Sequence, residues 1–255
     1  MVDEPSRHSD AHDADAATLD VVAELVLART TSPAVVAIAG SVAVGKSTVA
    51  RQLRDALVRL DATSGEGALE AVVLATDAFL RPNAELDAAG LTLRKGFPES
   101  YDHAALQRFL RAVRRGEPAR VPVYSHQAYD VVPGRSELID APDLVVLEGV
   151  NTLQPSSVAE LVDVGIYLDA AEHDVERWFV ERFARLRRAP DAVDGFYGQF
   201  VDLDDETADA VARWTWREIN LVNLREHIAP SADHADVVLH KGPDHRLDAV
   251  IVRDR

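Results

Sequence analysis

The chain has 255 residues, 47% of them hydrophobic, which is enough for one large α/β domain with a core of its own. Against 43 Asp and Glu it carries 27 Lys and Arg, for a formal net charge of -16, and such a surface repels phosphate backbones and anionic lipid. Nucleic acid and membrane partners are therefore excluded; the absence of cysteine removes disulfides, thiolate chemistry and cysteine zinc sites, and with no leader-like or membrane-length apolar run a cytoplasmic protein is expected.

Residues 1–16 are polar and acidic without apolar period and predict a disordered tail, with 17–255 as a single domain. His8 and His12 stand in that tail as solvated side chains rather than as metal ligands. Leu19, Val22, Leu25 and Val26 then recur at helical spacing. The run 34–39 (AVVAIA), followed at once by glycine, reads as a buried parallel strand, and Val49, Leu53, Leu57 and Leu60 mark one face of the helix after it. Residues 71–75, 144–147, 164–168 and 237–239 read as further strands, with helices over 106–113, 171–188 and 205–228. Strands alternating with helices predict an α/β fold of P-loop NTPase type, a mostly parallel sheet covered on both faces, with the 171–188 region as a helical lid.

Between the first strand and its helix, Gly40, Ser41, Val42, Ala43, Val44, Gly45, Lys46, Ser47 and Thr48 fit the pattern G-x-x-x-x-G-K-[ST] and run one residue beyond it. The chemistry needs this order. Glycines let backbone N–H groups turn toward phosphates, the helix offers its positive end, Lys46 reaches the β- and γ-phosphates, and the Ser47 hydroxyl suits Mg²⁺. The pattern predicts ATP and Mg²⁺ and says nothing of the acceptor.

Two carboxylates follow strand ends, where open α/β sheets hold ligands: Asp77 and Glu148. By position Asp77 fits a base for an acceptor hydroxyl or a helix cap equally well, and Glu148 fits a group close to the metal. Five arginines, at 177, 182, 185, 187 and 188, crowd one predicted helix of an acidic protein. Such a run is commonly a solvated face paired with Glu176 and Glu181, but one or two members could reach a transferring phosphoryl group.

Six strings in order, at 38–48 (IAGSVAVGKST), 76–80 (TDAFL), 95–102 (KGFPESYD), 122–131 (PVYSHQAYDV), 147–151 (LEGVN) and 218–224 (EINLVNL), resemble the prokaryotic type I pantothenate kinases within the phosphoribulokinase and uridine kinase group. The resemblance implies ATP-dependent phosphorylation of pantothenate, the first step toward coenzyme A. It makes Asp77 the carboxylate that acts on the acceptor hydroxyl, Lys46 and Arg182 the phosphoryl contacts, and Ser47 and Glu148 the metal groups. Tyr124, His126, Phe179 and Asn223 fall at acceptor positions, and Lys241 and His245 border the adenine. Coenzyme A as a feedback inhibitor, at His126 and Arg51, and a homodimer are further implications. Phe179, Phe196 and Phe200 stand where the family has tyrosines, Leu186 replaces a phenylalanine and Ala78 a glycine. These departures keep two alternatives open, a kinase for another small hydroxylated acceptor and a non-catalytic sensor of nucleotide or coenzyme A.

Overall fold

The computed structural model describes residues 6–64, 68–155 and 158–253, with backbone alone for 6–14 and 64. Helix α1 (Ser6–Arg29) leads into β1 (Ala34–Gly40), α2 (Lys46–Ser64), β2 (Ala71–Ala75), α3 (Asn83–Ala88) and α4 (His103–Val113). The hairpin β3 (Ala119–Ser125) and β4 (Asp130–Ile139) follows, then β5 (Leu144–Glu148), β6 (Val164–Ala170), α5 (Glu172–Arg187) and α6 (Asp205–Thr215). The chain closes with β7 (Val237–Lys241) and β8 (Leu247–Val252). No described helix is long and apolar enough to cross a membrane.

Six strands form one sheet in the order β2-β5-β1-β6-β7-β8, parallel except for the final β7–β8 pair. Period-two side-chain placement divides the core between its faces. Along β5, Leu144 and Val146 join the cluster built by α1, α2, Trp178 and Trp216, while Val145 and Leu147 join Leu106, Phe109, Leu110 and Val113 of α4. Both faces are covered, so the central strands read as continuous apolar runs. That is why they were legible.

Two elements, the β3–β4 hairpin and β8, were not expected from the sequence. The expected tail at 1–16 lies partly outside the described residues, but from Ser6 the backbone is helical; Asp15 accepts a hydrogen bond from Leu247 N at 2.9 Å, and alanines at 14, 16 and 17 favour carrying the helix back from its packed half. The helix expected over 205–228 is present, with α turns at 205–215 and 221–223 and wide π turns at Trp216–Asn220 and Leu224–Ile228. The β3–β4 hairpin lacked a signal, since most of β4 is exposed. Strand β8 had one, a β-branched run after a Gly-Pro-Asp turn.

The order of strands decides what meets at their C-terminal ends. Strand β5 lies between β1 and β2, with Glu148 in register with Ile38 on one side and Ala75 on the other. Glu148 is thereby flanked by the glycine-rich loop after β1 and by the Thr76–Phe79 turn after β2. On the far side of β1, Gly40 pairs with Leu168, and Lys241 ends β7 beside Ala170.

Candidate active site

The loop at 40–47 folds tightly because its sequence permits it. Gly45 has φ of +99°, and a Cβ there would sit 2.6 Å from the Lys241 ammonium nitrogen. A Cβ on Gly40 would sit 2.5 Å from the Leu168 carbonyl oxygen. Ala43 adopts φ of +63°, a left-handed conformation that a non-glycine residue holds only when its surroundings fix it. The loop then closes on α2 through Thr48 N to the Gly45 carbonyl at 3.1 Å.

Lys46 is 9% exposed, and its Nζ donates to the Ser41 carbonyl at 2.8 Å, so the ammonium folds back over the concavity of its own loop. Burial pulls its proton affinity down, Glu148 and Asp77 oppose that, and Arg182 adds to it. Ser47 Oγ, in the first turn of α2, donates to Glu148 Oε1, at the end of β5, at 2.6 Å. Asp77 carries no side-chain hydrogen bond among the described residues. Burial raises its proton affinity, the Glu148 charge raises it further, and Lys46, His126 and Lys95 pull it back. The helix-cap alternative is absent: Asp77 lies inside the turn Thr76–Phe79, whose cap position is Ala75, without a side-chain bond.

On the other side of Asp77 stands the hairpin tip. Tyr124 and His126 meet edge to face with ring centroids 5.2 Å apart, and Tyr124 and Tyr129 lie 6.3 Å apart. Burial, and then neighbouring negative groups including Asp77, keep the Tyr124 and Tyr129 phenols firmly protonated, hence available as donors. Asn223 is 6% exposed; its Nδ2 donates to the Gly96 carbonyl at 2.9 Å and its Oδ1 has no partner among the described residues.

The arginine cluster divides. Arg177 is tied to Asp174 at 2.8 Å and the Pro243 carbonyl at 2.7 Å, while Arg187 is buried on Asp205 and the Leu203 carbonyl. Arg188 also pairs with Asp205, at 2.7 Å. Arg182 and Arg185 are exposed and make no ion pair among the described residues, and only Arg182 is felt by Lys46, Tyr129 and Tyr197. Arg51 is exposed on α2.

Phe179, Lys241 and His245 make contacts of their own within the protein. Phe179 packs against Trp216, with centroids 5.9 Å apart, and against the Phe183 cluster between α5 and α6; no described contact ties it to Tyr124 or His126. Lys241 aims its ammonium at the Val44 carbonyl, 3.0 Å away, and so braces the loop. His245, at φ +69°, stacks on Trp178 at 4.2 Å. Sequence reasoning missed Lys95, Tyr101 and Tyr129 as members of the site. Lys95 perturbs Asp77, and Asp77 in turn holds the buried Tyr101 protonated more firmly. A lysine beside Gly-Phe-Pro in so acidic a chain was the available signal for Lys95.

The model of the phosphoribulokinase/uridine kinase family matches residues 35–186. A pantothenate kinase of Clavibacter sepedonicus is 44% identical over 230 residues, covering 87% of this chain and 70% of that one. A pantothenate kinase of Corynebacterium efficiens is 46% identical over 229 residues, covering 87% and 67%. Among solved structures, a Silicibacter sp. TM1040 protein assigned as a fructose transport system kinase superposes with a TM-score of 0.65 at 25% identity, covering 81% of this chain and 92% of that one.

Proposed function

The chain belongs to the phosphoribulokinase/uridine kinase family, and from that premise we propose that it transfers the γ-phosphoryl group of ATP to the primary hydroxyl of pantothenate. The observation that carries the chemistry is the placement of Asp77. A carboxylate without a hydrogen-bond partner among the described residues lies within electrostatic reach of the Lys46 cradle, two strands away in the sheet, with protonated tyrosines and His126 beyond it.

In this reading the triphosphate lies on residues 40–48, and backbone N–H groups and the start of α2 face its oxygens. Lys46 exchanges the Ser41 carbonyl for a phosphate oxygen, which is a stronger acceptor for an ammonium. Arg182 comes from α5 against charge spreading over the transferring group. Asp77 accepts the hydroxyl proton, and its raised proton affinity makes it a better base than an ordinary aspartate. The Asn223 Oδ1 and the Tyr124 hydroxyl orient the acceptor, and His126 and Lys95 balance its negative charge.

Ser47 and Glu148 offer hard oxygens of the kind Mg²⁺ takes; no group of three or more metal-ligating side chains exists among the described residues, which suits an ion held largely by water and phosphate. When bound, Mg²⁺ neutralises β- and γ-phosphate oxygens. Competition by coenzyme A against ATP and pairing of two protomers are parts of the proposal that rest on the resemblance.

The test is ADP release coupled to an indicator reaction, with pantothenate, uridine, ribulose 5-phosphate or no acceptor, and with the product identified by mass. Release that depends on pantothenate, with one phosphate gained, supports the reading. Equal release without acceptor, or preference for another acceptor, overturns it.

A further inference from the structure

We propose that Asn83, at the start of α3, is a positioning residue: its amide fixes Lys95 beside Asp77 and locks the tip of the β3–β4 hairpin, which carries Tyr124 and His126. That this space holds the acceptor rests on the function proposed above; the bonds themselves do not.

One side chain serves both ends because an amide is donor and acceptor at once. Asn83 Oδ1 accepts from Lys95 Nζ at 2.6 Å, and Asn83 Nδ2 donates to the Tyr129 carbonyl at 3.1 Å. Its backbone N donates to Asp130 Oδ1 at 3.0 Å, an oxygen that also accepts from Val131 N at 2.8 Å. Lys95 completes the ring of bonds by donating to the same Tyr129 carbonyl, with its ammonium 4.3 Å from the Tyr129 ring centroid and 5.4 Å from that of Tyr124.

Tyr129 needs such a clasp. Its φ of +52° is a conformation that a bulky residue keeps only when the surroundings determine it. From the opposite side Phe196 N donates to the Gln127 carbonyl at 2.8 Å, and the Phe196 ring stacks on Tyr129 at 4.4 Å. The tip is held between two grips, and Asn83 is the one that also sets a cation of the site. Asp130, Asp77 and Asp87 all attract the Lys95 ammonium, and the Asn83 oxygen is the side-chain acceptor that holds it.

The experiment compares wild type with Asn83→Ala and Asn83→Asp by hydrogen exchange and by kinetics. Asn83→Ala is expected to speed exchange in 126–131 by about tenfold and to raise the pantothenate KM by about tenfold, with the ATP KM within about twofold. Asn83→Asp keeps an acceptor for Lys95 but no N–H for Tyr129, so it should restore part of the KM while the tip still exchanges faster. Unchanged exchange at 126–131 in both variants, or the two KM values rising together, would overturn the assignment. If wild type proves inactive on pantothenate while the tip still loosens, the acceptor reading fails and the role of Asn83 stands.

Discussion

At the scale of single residues the site is held at a cost to the fold. Asp77 is buried beside Glu148, and both effects raise its proton affinity. A carboxyl raised in the folded state contributes stability that is present below its unfolded pKa of about 4 and is lost as pH climbs through the folded value. Asp77→Asn should therefore raise the melting temperature at pH 7 by a few degrees. The gain should vanish near pH 3.5, where the native side chain is protonated in both states. Thermal unfolding at the two pH values checks this, and a variant less stable at pH 7 would contradict it. Lys46 and Ser47 stood out in the sequence because a glycine-rich pattern has few other uses, whereas Asp77, equally a base or a cap by position, was singled out by the resemblance. Lys95 and Asn83 were not, since nothing local marks a residue that acts by bridging two loops.

At the scale of elements, α5 shows how a run of like charges resolves. Arg187 lies within the α5–α6 packing and Arg182 outside it, five residues apart. Arg187→Ala should cost about 2 kcal/mol of stability, since it removes hydrogen bonds to a carboxylate and a carbonyl, and leave kcat within about twofold. Arg182→Ala should leave the denaturation midpoint nearly unchanged and lower kcat by about a hundredfold or more. Denaturant unfolding beside steady-state rates separates the two, and a reversed pattern would move the functional arginine. From composition the cluster was visible but its division was not, because that depends on which positions α6 covers. The β3–β4 hairpin was hidden for a related reason: exposed strands carry little periodicity, although this one supplies Tyr124, His126 and Tyr129 to the site.

At the scale of the molecule, strand order does the assembling. Placing β5 between β1 and β2 brings residues 46, 77 and 148, far apart in sequence, together at the C-terminal ends of the strands, and the apolar runs that build those strands announced the sheet in the sequence. Their order was not announced, since period and propensity carry no information on neighbours. The account rests on Asp77 acting on the acceptor while the nucleotide cradle stays intact without it. Single-turnover phosphoryl transfer at saturating ATP and pantothenate, in wild type and Asp77→Asn, tests this most directly. The account predicts a rate lower by about a thousandfold with ATP affinity within about twofold. A rate near that of wild type would contradict it.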